Sequence, residues 1–140
     1  MTRDEIAAMF ARREEAFEEM DAAALAADYA DDAVIESPTA GTHRGPDEAA
    51  KILDEIFHAF ADMTRITSDL LIDGDHVAQV LTMEGTNLGG LMGLPASGKH
   101  FRVPAVFLYE LRGSKIIREQ RIFDFTGMLI QIGVLKARPA

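Results

Sequence analysis

The chain has 140 residues, 48% of them hydrophobic and 26% charged, which predicts a single domain large enough to close a core around a small cavity. Its net charge of −9 argues against nucleic acid or an anionic membrane as a partner, because both require a positive surface. The absence of cysteine excludes disulfides, thiol nucleophiles and thiolate metal sites.

Two helices are predicted at the N-terminus. Apolar residues recur at helical spacing over Thr2–Met20, with arginines and glutamates on the rest of the circumference. A second, shorter helix should run from Asp21, which can cap it, through Tyr29. The opening residues are acidic where a signal peptide is basic, and no apolar stretch approaches membrane-spanning length, so we expect a cytoplasmic protein without membrane contact.

A strand, a loop and a third helix follow. The strand Ala33–Ser37 is ended by a proline, which cannot donate to a sheet ladder. The loop Ser37–Gly45 contains His43, which is either a catalytic proton carrier at a pocket rim or an exposed loop histidine. The third helix begins at Pro46, whose fixed φ suits the first helical position, and its apolar residues share one face up to Phe60.

Two hairpins supply the sheet. Thr64–Ile72 and His76–Thr86 are rich in β-branched and apolar residues and are joined by Asp-Gly-Asp, a strong hairpin signal. Phe101–Leu111 and Lys115–Phe125 form the second hairpin. Helices followed by long strands indicate an α+β fold in which a curved antiparallel sheet wraps the N-terminal helices. Because Phe101–Leu111 is apolar on both faces, we predict a homodimer through the outer sheet face.

The connection between the hairpins is Leu88–Lys99, LGGLMGLPASGK. It is rich in glycine and too apolar for an ordinary solvated loop. Two interpretations remain open: a flap over a cavity mouth, or a long connection whose leucines pack into the core or a subunit interface.

One carboxylate, Asp124, stands at the end of the last predicted strand, directly before a short apolar helix over Gly127–Ile132. A carboxylate among apolar neighbours is a candidate general base, because loss of hydration favours its taking up a proton. Strand alternation places it on the side of Gln120 and Ile122. The alternative is that Asp124 caps the helix that follows.

Other residues are candidates for binding a ligand. Glu84 lies in an otherwise apolar strand and either faces a cavity or pairs with an arginine. Side chains able to bind a substrate carbonyl are Asn87, Gln120, Tyr29 and Tyr109, and the remaining candidate wall residues are Met92, Phe107 and Ile122. The histidines lack paired spacing and the glycine-rich stretch lacks a nucleotide-binding pattern, so we predict neither a metal nor a cofactor.

Several segments together resemble the SnoaL-like polyketide cyclases and ester cyclases of the nuclear transport factor 2-like superfamily. They are Tyr29–Val34, Arg44–Ala49, Gly85–Gly89, Gly93–Lys99, Lys115–Ile117, Asp124 and Gln131–Gly133. The resemblance covers roughly residues 20–135 of a single domain spanning 1–140, with its core at about 4–135 and a C-terminal tail at 134–140.

This resemblance implies a cone-shaped, cystatin-like α+β barrel, usually dimeric, with a deep apolar pocket. It also implies acid/base catalysis without a cofactor, in which a pocket aspartate, matched here by Asp124, removes a proton next to a carbonyl of a small apolar ligand. An intramolecular aldol closure follows in the polyketide cyclases.

Two other functions remain open. The same pocket would serve a non-catalytic small-molecule-binding domain, with Asp124 structural. Epoxide-hydrolase-like relatives use an Asp-Arg-Asp arrangement around a water; Asp124 and Arg121 are available, but they alternate to opposite faces of a regular strand. Ketosteroid isomerases carry their base where this chain has Ser37, so that mechanism lacks its base.

Overall fold

The computed structural model describes residues 1–90 and 92–137, which form an α+β fold, as predicted. The helices are α1 (Arg3–Glu18), α2 (Ala22–Ala26), α3 (Gly45–Ala59) and α4 (Phe125–Gln131). The strands are β1 (Tyr29–Ser37), β2 (Gly41–Arg44), β3 (Thr64–Asp73), β4 (His76–Thr86), β5 (His100–Arg112) and β6 (Lys115–Phe123).

The N-terminal helices begin at side-chain caps. Thr2 and Glu5 form a reciprocal capping box at the start of α1, and Asp21 accepts a hydrogen bond from the Ala24 N–H at the start of α2. The prediction that α2 extends to Tyr29 was wrong. Tyr29 pairs with Ile116 in the sheet, and this pairing starts β1 three residues after the helix ends.

The strands form one curved sheet in the order β2-β1-β6-β5-β4-β3. Both predicted hairpins, β3-β4 and β5-β6, are present. The expectation of a wholly antiparallel sheet needs correction, because β1 runs parallel to β6. Part of the predicted loop Ser37–Gly45 is also a strand, since β2 folds back on β1 with Ile35 opposite His43.

The helices cover the concave side of the sheet and enclose the core. The third helix buries Ala49, Ile52, Leu53 and Phe57, the face that its sequence period predicted, and packs against β1 and β2. The first helix packs on β3 and the fourth on β5. Because these helices do not fill the concave side completely, a cavity remains between α3 and the sheet.

The convex side of the sheet carries apolar side chains without cover in this single chain. Ile66, Leu71 and Ile122 are each about half exposed or more, at 59%, 60% and 47%, and Leu108 lies among them at 38%. Across the described residues, no helix is both long and apolar enough to cross a membrane.

The connection between β4 and β5 is held at both ends. The Asn87 N–H donates to the Lys99 carbonyl, and the Gly98 N–H donates to the Asn87 carbonyl. The Gly89 N–H donates to the Ala59 carbonyl at the end of α3, and a Cβ on Gly89 would overlap the His58 carbonyl oxygen. The start of the connection is therefore pressed against α3. Leu91 of this segment and residues 138–140 of the predicted tail lie outside the described residues.

Candidate functional site

The cavity has a volume of about 720 Å³ and opens between α3, the turn after β1, the β4-β5 connection and α4. Its walls are mainly apolar, from Phe17, Met63, Met83, Phe107, Phe123 and Met128. A cavity of this size and composition accommodates a small, largely apolar organic molecule.

Two buried guanidinium groups stand in this apolar wall. The side chains of Arg65 on β3 and Arg121 on β6 line the cavity and are each only 7% exposed. Arg65 lies 3.9 Å above the Phe17 ring, and both guanidinium carbons lie 5.9 Å from the centre of the Phe107 ring. Burying a charge is costly unless it is paired, so the partners of each arginine decide what it can do for a ligand.

Arg121 is paired with a buried carboxylate. Its Nε–H donates to Glu119 Oε2 at 2.7 Å, and the Tyr29 hydroxyl donates to Glu119 Oε1 at 2.7 Å. Burial by itself would raise the pKa of Glu119, but the attraction of Arg121 and Arg13 and the hydroxyls of Tyr29 and Tyr109 outweigh it and lower this pKa. Glu119 is therefore an ionised anchor that fixes Arg121 rather than a proton acceptor.

Tyr29 belongs to the same cluster. Burial first, and then the charge of Glu119, raise the pKa of Tyr29 to about 12. The hydroxyl therefore stays protonated near neutral pH and donates to Glu119. Behind it, Arg13 donates to the Leu25 carbonyl at 3.0 Å and to Asp28 at 2.9 Å. These contacts stabilise the cluster from the α1 side.

Arg65 is less well paired than Arg121. Its nearest carboxylate oxygen, on Glu14, is 3.7 Å from the guanidinium nitrogen, which is longer than a hydrogen bond. That same oxygen already accepts from Gln79 at 2.6 Å and from Thr67 at 3.2 Å. The buried Nε–H of Arg65 has no acceptor among the described residues. Burial first, together with repulsion from Arg13, lowers the pKa of Arg65 despite attraction from Tyr109 and Glu14.

His43 lies on β2, lines the cavity and has a side chain that is 30% exposed. Its Nε2–H donates to the Ala40 carbonyl at 2.6 Å, and its Nδ1 lies 3.1 Å from a Glu48 oxygen. Ile35 pairs with His43 on one side and with Glu119 on the other, so the three share the concave face. His43 and Glu119 are two strand spacings apart, about 10 Å.

Asp124 does not occupy the cavity. Its side chain is exposed and caps α4, accepting from the Gly127 N–H at 2.8 Å. The prediction that Gln120, Ile122 and Asp124 face the cavity was wrong. Ile117 is an extra residue opposite the Glu110–Leu111 step of β5 and forms a bulge in β6. This bulge shifts the inward positions to Glu119, Arg121 and Phe123 and turns the opposite side outward.

The other candidate binding residues are divided between cavity, core and surface. Met92 and Phe107 line the cavity. Tyr29 and Tyr109 are buried in the polar cluster, where the Tyr109 hydroxyl points to Gln79 at 3.4 Å. The remaining four lie elsewhere: Glu84 contacts His100 at 2.8 Å, Asn87 anchors the β4-β5 connection, and Gln120 and Ile122 border a shallow groove outside the cavity.

Sequence reasoning missed Arg65 and Glu119, and it considered Arg121 together with Asp124 in an epoxide-hydrolase-like arrangement. A signal was present, because Glu119 and Arg121 are two residues apart in a strand and therefore share a face. Opposite charges at that spacing within an apolar strand are typical of a buried ion pair as well as of a solvated edge.

The fold and the apolar cavity define an α+β protein with room for a small molecule. The family profile described as SnoaL-like polyketide cyclase matches residues 7–132, and the chain belongs to this family. It is 28% identical over 107 residues to nogalonic acid methyl ester cyclase of Streptomyces nogalater, covering 76% of this chain and 78% of that protein.

Solved structures show the same fold. IdmH of Streptomyces antibioticus, a proposed polyketide cyclase, is 29% identical, with a TM-score of 0.77 over 91% of this chain and 98% of its own. AclR of Streptomyces galilaeus superposes with a TM-score of 0.85 over 99% of this chain and 87% of its own, at 20% identity.

Proposed function

We propose that the protein is a cofactor-independent cyclase that closes a ring in a small, largely apolar carbonyl compound through an enolate. The observation that carries this proposal is the pair of buried guanidinium groups, Arg65 and Arg121, in the wall of an apolar cavity. Membership of the SnoaL-like family supports a cyclase, and the similarity to nogalonic acid methyl ester cyclase makes a polyketide ester the first substrate to test.

Arg121 supplies the electrostatic part of the mechanism. When a proton leaves the carbon next to a carbonyl, the electron pair of the broken C–H bond moves onto the carbonyl oxygen. A cationic donor held beside that oxygen in an apolar cavity stabilises the enolate strongly, because little water screens it and no reorganisation is needed. Glu119 fixes the Arg121 side chain through the 2.7 Å bond to Nε and acts as a positioning residue.

His43 is the proton carrier in this proposal. Its Nε2–H is engaged by the Ala40 carbonyl and its Nδ1 by Glu48, so Nδ1 takes up the substrate proton when the half-exposed Glu48 side chain moves aside, and Glu48 then stabilises the imidazolium. The enolate carbon then attacks a second carbonyl of the same molecule and forms the new C–C bond. The imidazolium returns its proton to the resulting alkoxide, so the overall reaction is an isomerisation.

Asp124 has no part in this mechanism. Its carboxylate is exposed, lies outside the cavity lining and caps α4. Asp124→Asn therefore provides a matched control, since an asparagine oxygen still caps the helix.

The test is conversion of nogalonic acid methyl ester, and of the corresponding free acid, followed by chromatography and by deuterium uptake from heavy water. We expect Arg121→Met to slow ring closure about 100- to 1,000-fold, as loss of one oxyanion-stabilising donor does. His43→Gln should slow it about 100-fold or more. Asp124→Asn should leave the rate unchanged.

Two results would overturn the proposal. One is a folded Arg121→Met protein that cyclises at the wild-type rate, and the other is loss of turnover in Asp124→Asn. Saturable binding of both compounds without any turnover or deuterium exchange would instead favour the non-catalytic binding domain.

We also propose that the protein is a homodimer through the convex sheet face. Four apolar side chains, Ile66, Leu71, Leu108 and Ile122, are exposed there in the single chain. Covering such a patch is favourable because it removes apolar surface from water. Light scattering during size-exclusion chromatography at micromolar concentration tests this, and a monomer would contradict it.

A further inference from the structure

Among the buried arginines of the described residues, Arg65 is the one with no carboxylate at hydrogen-bond distance. Arg121 has Glu119 as its acceptor, and Arg13 has the Leu25 carbonyl and Asp28. The buried Nε–H of Arg65 has none, and its Glu14 neighbour is 3.7 Å away. A buried guanidinium without a carboxylate at hydrogen-bond distance is costly, so its persistence in a cavity wall indicates a partner brought by the ligand.

The charges around the cavity agree with this interpretation. Four guanidinium groups belong to the cluster, those of Arg12, Arg13, Arg65 and Arg121, and they face three carboxylates, those of Glu14, Asp28 and Glu119. Asp28 is shared between Arg12 and Arg13. Within the cluster, Arg65 is the guanidinium without a carboxylate at hydrogen-bond distance, since Glu14 lies 3.7 Å away, whereas Arg12, Arg13 and Arg121 each bond one.

We infer that the ligand of this cavity carries an ionised carboxylate, which pairs with the Arg65 guanidinium and supplies the counter-charge that Glu14 is too distant to provide. The inference rests on the proposed function and narrows its substrate class from apolar carbonyl compounds in general to those that carry a carboxylate. An ester oxygen can accept a hydrogen bond, but it brings no counter-charge to Arg65. A carboxylate provides both, and hydrogen bonds between two charged groups are about twice as strong as neutral ones.

The residues around Arg65 agree with a carboxylate at this end of the ligand. The Arg65 guanidinium is stacked 3.9 Å above the Phe17 ring, which limits its approach to Glu14 and holds it in the wall. The apolar walls contributed by Met63, Met83 and Phe107 suit the body of the molecule. The expected ligand is therefore an acid with an apolar skeleton.

Two probes of nearly identical shape test the inference: anthraquinone-2-carboxylate and its methyl ester, titrated calorimetrically into the full-length protein at neutral pH. Wild-type protein should bind the acid at least tenfold more tightly than the ester, a difference of about 1.4 kcal/mol. Arg65→Met should remove this preference by weakening the acid while leaving ester affinity unchanged. Retained ester binding also shows that the variant is folded.

Arg118→Met is the matched control, because it removes an exposed arginine of the same sheet outside the cavity. It should keep the wild-type preference. Equal affinity of wild type for the two probes, or equal effects of the two substitutions, would overturn the inference while leaving the proposed cyclase standing. Failure of wild-type protein to bind either probe would instead count against the cavity as a ligand site, on which both this inference and the proposed cyclase depend.

Discussion

Replacing Glu119 by glutamine should strongly destabilise the protein. Glu119 is 1% exposed and gives Arg121 its only carboxylate partner among the described residues. Glutamine preserves an acceptor for the Tyr29 hydroxyl, but it leaves a buried guanidinium without a counter-charge. Breaking one side of a buried ion pair costs about 3–5 kcal/mol. This is a large part of the roughly 5–15 kcal/mol by which a domain is normally stable.

Urea denaturation followed by circular dichroism measures the effect, with Glu36→Gln as the control. Glu36 on β1 pairs with Arg118 on β6 at 3.6 Å, but both side chains are substantially exposed, so the control should lose at most about 1 kcal/mol. Replacing Glu119 and Arg121 together by methionine should recover much of the loss, because no unpaired charge remains. If Glu119→Gln costs no more than the control, the ion pair does not stabilise the fold as argued.

The same pair gives a pH dependence with a defined sign. The pKa of Glu119 in the folded protein lies below its ordinary value of 4.5, since the pull of Arg121 and Arg13 exceeds the effect of burial. At pH well above this ordinary value, Glu119 is ionised in both the folded and the unfolded protein, and its stabilising effect is complete. As pH falls below it, the unfolded chain takes up the proton first, so the stabilisation shrinks. The difference in unfolding free energy between wild type and Glu119→Gln should therefore be constant near neutral pH and decline in acid; a difference that grows in acid contradicts this assignment.

Three further substitutions test other parts of the structure. Asp124→Ala should lower the free energy of unfolding by about 1 kcal/mol through loss of the α4 cap, and no loss in urea denaturation would contradict the capping role. Gly89→Ala should lower the melting temperature and increase proteolysis of the β4-β5 connection, because its Cβ would overlap the His58 carbonyl oxygen; unchanged melting would show that this close approach is dispensable. Ile122→Glu should convert the proposed dimer to a monomer in light scattering while the melting curve stays cooperative, and an unchanged mass would place any interface elsewhere.

Local patterns were sufficient to predict much of the fold. The third helix was correct because its apolar spacing matches one helical face, and the β3-β4 hairpin was correct because Gly74, at φ 57, adopts the left-handed conformation that its turn requires. The pairing of β1 with β6 was not predictable in this way. It joins residues about ninety positions apart, and no local period records it.

The site was harder to predict, because one extra residue in β6 changes which side chains face the cavity. Regular alternation from the buried Ile116 places Gln120 and Ile122 on the cavity side of β6. Both are uncharged, whereas Glu119 and Arg121 are charged. The bulge at Ile117 moves the charged pair inside instead. The pair is stable there because its members satisfy each other and Tyr29, which is a tertiary arrangement that hydrophobicity along one strand cannot report. Asp124 illustrates the converse, since its local role as a helix cap was visible in the sequence.

The position of β6 links ligand recognition to the assembly of the whole domain. This strand is synthesised last among the strands, yet it is the bridge between β1-β2 and β3-β5, because β1 has no other neighbour on that side. The two halves of the sheet therefore cannot join until Glu119 and Arg121 have left the ribosome and found their partners. Substitutions at these two residues that change ligand binding also change how the sheet forms. The evolution of ligand specificity in this protein is therefore constrained by folding as well as by chemistry.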